Sequence, residues 1–203
     1  IEPYFTATQA PSLVTKSNNN SRVFMDHFEG LVKTLLEHEG YWIRQSFKVN
    51  LTKQEKVSIG KPSIPRPEID ILAFKPEENK VIAFEAKSYL DSYGVKLAEL
   101  QKNHKIPEGR YKLFTSANYR NIVFSRMKKD LIDIDMATPE TVITLGLVAG
   151  NVYQSKSDEI RALFIANGWA FLSPEDIREK VTNLASKGYE NEPSIITAKI
   201  LMR

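Results

Sequence analysis

The chain contains no cysteine, which excludes a disulfide-held scaffold, a thiolate zinc site and cysteine nucleophile chemistry together. Its three histidines, His27, His38 and His104, have neither the spacing of metal ligands nor an acid placed to orient them, so they read as surface or hydrogen-bonded side chains. A phosphate-binding loop is missing as well: Gly146 and Gly150 lack the Lys-Ser/Thr that such a loop carries. No apolar run approaches the roughly 18 residues needed to cross a bilayer. No leader-like segment opens the chain, and a first residue of Ile1 implies that something upstream was removed or left out. The expected compartment is the cytoplasm.

What is present suits one domain of ordinary size, or one with a small appendage: 203 residues, 42% hydrophobic and 26% charged. The net charge of +3 is unevenly spread. Residues 1–86 balance to zero, residues 87–130 carry ten positive against four negative side chains, and residues 131–203 sum to −3. Tyr111, Phe114, Tyr119 and Phe124 interleave with the basic middle segment. Such a field attracts a polyanion such as nucleic acid; a plain solvated helical face has the same composition.

Residues 1–21 have no sustained period and read as an N-terminal arm or linker, followed by a core over 22–150 and a C-terminal α/β extension, 151–203, packed on that core. Phe24, Phe28, Leu31, Val32, Leu35 and Leu36 form one helical stripe, with Ser21 as the expected cap and Gly40 as the stop. Trp42 to Leu51 alternates like a strand, and 52–67 reads as loop. Further along, a helix is expected over Asp91 to Asn103, a short strand over Tyr111 to Thr115, and a helix over Asn118 to Leu131. A buried strand over Thr141 to Ala149 follows, then a helix from Ser157 to Gly168 and a short strand at Trp169 to Leu172. Ser173-Pro174-Glu175-Asp176 starts a further helix, and a last one follows Pro193. Alternating strands and helices after an antiparallel hairpin define an α/β class with a mixed sheet.

That hairpin is the most informative stretch. Glu68 to Phe74 and Val81 to Lys87 are apolar runs joined by a turn over Pro76 to Asn79, and both are apolar on two faces, as interior strands are. This turn sets Lys75 against Lys80, Phe74 against Val81, Asp70 against Glu85 and Glu68 against Lys87. By alternation Glu68, Asp70, Glu85 and Lys87 then share one face. Opposed acids at about 5 Å repel, the more so in an apolar ribbon. One acid taking up a proton relieves this, and so does a divalent cation. Two carboxylates and the Ala86 carbonyl are hard oxygen donors suited to Mg²⁺, and Lys87 brings an ammonium to the same face. A structural Glu68–Lys87 pair, with Asp70 and Glu85 near solvent, is the other arrangement these residues allow.

Asp70, fourteen intervening residues, then Glu85-Ala86-Lys87 resembles the signature of the PD-(D/E)XK, or restriction-endonuclease-like, nuclease superfamily. Phe28-Glu29-Gly30-Leu31-Val32-Lys33-Thr34-Leu35-Leu36 followed by Gly40-Tyr41 resembles the opening helix of Mrr-type restriction nucleases and Holliday-junction resolvases. The resemblance covers about residues 22 to 150. It implies a restriction-endonuclease-like mixed β-sheet core flanked by helices (helix, three-strand meander, helix, strand) with a C-terminal helical extension. It places Glu29, at the border of the apolar stripe, beside the metal site. The chain departs from the pattern in that Pro67 stands three residues before Asp70 with Glu68 between, so Glu68 is an additional candidate acid.

The implied activity is a Mg²⁺-dependent endonuclease of restriction type acting on double-stranded DNA, with Mn²⁺ able to substitute. Asp70, Glu85, Ala86 and Glu29 would serve the metal and Lys87 the attacking water. Ser88, Tyr89, Lys96, Gln101 and Lys102 are candidate DNA contacts. One such site cuts one strand, so a double-strand break calls for a homodimer or two binding events. Two alternatives stay open: a structure-specific repair, recombination or transposase-type nuclease, and a DNA-binding module that keeps the fold without cleaving.

Overall fold

A computed structural model describes residues 26–188 and 190–203; the expected arm over 1–21 lies outside them. Helix α1 (His27–Glu37) opens the described chain. Ser21, the expected cap, also lies outside the described residues, and the cap in place is Asp26, whose carboxylate accepts from the Phe28 and Glu29 N–H groups at 2.8 and 3.3 Å. Strand β1 (Trp42–Lys48) follows, shorter than its alternation suggests. The stretch expected to be loop then forms helix α2 (Lys53–Ser58), held by reciprocal bonds between Thr52 and Glu55. Strands β2 (Glu68–Lys75) and β3 (Lys80–Lys87) form the hairpin, joined by a 3₁₀ turn at Pro76–Glu78 with Asn79 left-handed.

Beyond the hairpin two expectations fail. The helix expected over Asp91 to Asn103 shrinks to one turn, α3 (Leu97–Leu100), because Tyr89 and Gly94 both take positive φ and residues 88–96 run as an irregular loop. Tyr111 to Thr115 is a turn of helix, α4 (Lys112–Thr115), rather than a strand. A four-residue apolar run has no period to tell the two apart. Helix α5 (Ala117–Ile132), strand β4 (Val142–Ala149), helix α6 (Ser157–Ala166), strand β5 (Ala170–Leu172), helix α7 (Pro174–Ser186) and helix α8 (Pro193–Leu201) complete the order.

The five strands form one mixed sheet in the order β1-β2-β3-β4-β5. The first three pair antiparallel, and β3–β4 and β4–β5 pair parallel. Helices cover both faces, so the protein is α/β. On one face Val32, Leu35 and Leu36 of α1 pack with Ile71, Ala73, Ile82 and Phe84, joined by α7 and α8. On the other, Val123, Met127 and Leu131 of α5 and Phe164 of α6 cover Leu72, Val81, Ala83 and Leu147. Burying each of these large side chains contributes about 1.5–3 kcal/mol. No helix among the described residues is long and apolar enough to cross a membrane.

Candidate active site at the open end of the hairpin

The β2–β3 register follows from the turn: Lys75 faces Lys80, Phe74 faces Val81, and the ladder runs to Ile71 opposite Phe84. There it stops. Ser46, which the β1–β2 register sets opposite Asp70, has φ 53. The strands rotate at this point, so that Ile69 packs in the same layer as Leu72, while Ile71 packs in the opposite one. In place of the next ladder bond, the Asp70 carboxylate accepts from the Ala86 N–H at 2.7 Å. A strand residue sends its N–H and C=O to the same side, so the Ala86 carbonyl also faces the gap between β2 and β3.

Lys87 brings its ammonium to both acids. Its Nζ lies 3.0 Å from Glu85 Oε2 and 3.7 Å from Asp70 Oδ2. All three side chains are mostly enclosed, at 23% exposure for Asp70, 16% for Glu85 and 18% for Lys87. Burial pushes the Glu85 carboxyl above its usual range, and Asp70 adds to the rise while Lys87 opposes it. Burial alone would lower the Lys87 ammonium, but Glu85 and Asp70 outweigh it and hold it above its usual value.

Glu29, in the first turn of α1, lies in the field of this cluster. Burial, reinforced by Asp70, Asp26 and Glu68, pushes its pKa up to about 7. Among the described residues no three acidic or histidine side chains converge closely enough to hold an ion by themselves. Glu29 thus stands within reach of the field of Asp70 without joining Asp70 and Glu85 as a third convergent donor.

The alternative arrangement, a structural Glu68–Lys87 pair, does not form. The rotation at Asp70 turns Glu68 outward, where it meets Lys48 across β1 at 3.7 Å. Its charge is still felt at Glu29. The candidate DNA contacts divide. Tyr89 and Lys96 line a cleft next to the end of β3. Ser88 lies against the residue that follows β4, where its carbonyl would stand 2.3 Å from any Cβ at position 150, so Gly150 permits this close approach. Gln101 and Lys102 lie outside that cleft's lining, and Lys102 is bound to Glu99 at 2.7 Å.

The basic middle segment is also divided by the fold. Arg126 makes a bidentate pair with Glu55, and Arg120 donates to the Leu113 and Phe114 carbonyls beneath the Trp169 ring. These two cations hold the structure together and are not free for a polyanion. Sequence reasoning missed two neighbours of the site. The Lys112 ammonium, at the start of α4, acts on Glu85 and lines a cleft of about 440 Å³ between residues 61–65 and 107–109. The Tyr119 hydroxyl of α5 is pushed up to about 12 by burial and by Glu85. Only the folding of α4 and α5 over the sheet brings them there; no spacing signals it.

Comparison with protein-family models, with curated proteins and with solved structures finds no match to this chain.

Proposed function

We propose that the protein is a metal-dependent endonuclease that hydrolyses phosphodiester bonds in DNA, with a restriction-endonuclease-like arrangement of its core. The observation that carries this reading is the meeting of Asp70 and Glu85 on one lysine ammonium at the opened end of a buried hairpin. Stability alone would favour apolar residues there. The cluster is short of positive charge: burial raises Glu85, and Glu29 is raised to about 7. A divalent cation supplies what is lacking, and two carboxylates with a backbone carbonyl are the hard donors that Mg²⁺ or Mn²⁺ takes.

Asp70 and Glu85 would hold the metal, with the Ala86 carbonyl on the same side and Glu29 acting through water. When bound, the metal would lower the pKa of water and neutralise charge on the phosphate. Lys87 orients the attacking water and stabilises the oxyanion of the displacement. Hydrolysis consumes one water, its hydroxyl going to phosphorus and its proton to the leaving sugar oxygen. Lys112, whose charge is felt at Glu85, offers a cation to the adjacent phosphate.

The test is nicking of supercoiled plasmid with Mg²⁺ or Mn²⁺. Metal-dependent nicking that falls by about 10²–10³-fold in Lys87→Ala, with DNA binding retained, is expected. DNA binding with no nicking under either metal would leave a binding module and end the enzyme reading.

A further inference from the structure

We propose that the cleft beyond the C-terminal end of β3 takes an unpaired nucleotide of the DNA substrate, its base stacked on Tyr93 and its phosphate between Lys96 and Arg110. The proposal rests on the nuclease reading for the position of the scissile phosphate, because the cleft begins at Tyr89, two residues past Lys87 on the same chain segment.

The cleft encloses about 380 Å³, within the range of small-ligand sites. Its aromatic character is specific. Tyr93, 78% exposed, meets Tyr153 edge-on with ring centroids 6.2 Å apart. Lys96 Nζ lies 5.8 and 5.1 Å from the two centroids. On the other wall the Arg110 guanidinium donates to the Tyr89 hydroxyl at 3.3 Å.

The irregular loop of the cleft is tied to the segment that follows β4. The Val95 N–H donates to the Asn151 carbonyl, and the Tyr153 N–H to the Val95 carbonyl, both at 2.9 Å. Asn151 Nδ2 donates to the Ser92 carbonyl at 2.7 Å. Gly94, at φ +83, lies so close to Asn151 that a Cβ would stand 2.8 Å from its backbone. A large ring left in water on a pinned backbone is a stacking platform set in place beforehand, with little ordering cost on binding.

The charges point to a nucleic acid strand. Among the described residues neither Lys96 nor Arg110 forms an ion pair, and the acid lining the cleft, Glu99, is engaged by Lys102. An exposed aromatic ring beside cations that carry no ion pair suits a single strand, whose bases offer their π-faces and whose phosphates run alongside. A fully paired duplex hides those faces in its own stack. The substrate that satisfies both ends of the site therefore has a nucleotide out of the helix next to the cut.

The test compares two fluorescein-labelled 20-base-pair duplexes in EDTA by anisotropy, one fully paired and one carrying three unpaired thymidines. The unpaired duplex should bind about tenfold more tightly. Tyr93→Ala should bring that ratio close to one, and Tyr93→Phe should keep it. A ratio of one in the unsubstituted protein, a ratio that survives Tyr93→Ala, or no binding of either duplex overturns the proposal. Nicking with Mg²⁺ measured in parallel separates the two readings. A preference for the unpaired duplex without nicking removes only the nuclease; nicking with a ratio of one removes only this cleft.

Discussion

Acidic side chains are treated differently in two parts of this molecule. Away from the sheet's open end, Glu55 and Asp176 are matched. Glu55 closes the start of α2 and takes two hydrogen-bonding arms of Arg126 at 2.8–3.0 Å, and that guanidinium holds its carboxyl below the usual range. Asp176 would be pushed up by burial, but the Ser173 N–H and Arg161, each at 2.8 Å, bring it down. At the end of the hairpin Asp70 and Glu85 share one Lys87 with Glu29 in their field, and Glu29 and Glu85 are driven up instead. Matched acids stabilise a fold. Under-matched acids in an enclosed place cost stability, and they persist where they hold something else.

Breaking the contrast should give effects of opposite sign. Glu85→Gln is expected to lower plasmid nicking about 10²–10³-fold while raising the melting temperature of the metal-free protein, since an enclosed, poorly compensated carboxylate is gone. A fall in that melting temperature would show that Glu85 is a structural acid like Glu55. Ser173→Ala, which removes a cap and an Arg161 partner, should cost about 1–2 kcal/mol in urea unfolding. Arg126→Ala should cost about 1 kcal/mol, at the upper end for a partly exposed pair because the fork is bidentate.

The smallest effect sharpens the comparison through pH. Glu29 is raised in the folded state, so its stability contribution is fully present below its unfolded pKa near 4.5 and is lost as pH rises through about 7. Metal-free melting temperature should therefore decline from pH 5 to pH 8, and Glu29→Gln should flatten that decline. An unchanged slope in the variant would show that Glu29 titrates like a surface acid. Glu55, lowered in the fold, has the opposite sign: its contribution is present above its unfolded pKa and is lost as pH falls through the lower, folded value.

Much of the site was legible because it lies on one hairpin. The Pro76–Asn79 turn sets every pair up to Ile71 and Phe84, and the same register carried one step further brings Asp70 to Glu85. Helix starts written in short codes, such as Ser173 with Asp176, were equally plain. Where a segment's conformation depended on what it packed against, reading failed. The Tyr111–Thr115 run is buried as a helical turn against Phe164 of α6 and Trp169, with the Phe114 ring 5.3 Å from that of Phe164. The 52–67 stretch, rich in Pro and Gly, concealed a capped helix whose Glu55 also reaches Arg126, 71 residues away.

Sequence by itself determined the hairpin, its register and hence the neighbourhood of two acids and a lysine, because a short turn and two-residue alternation are local physics that no distant contact has to complete. Tertiary structure alone decided the rest. It ended the ladder at Ile71, turned Glu68 away to Lys48, brought Lys112 and Tyr119 to Glu85, and enclosed Glu29 enough to raise it to about 7. Those outcomes depend on burial and on charges far apart in the chain, and the packing of helices on both faces of the sheet is what sets them.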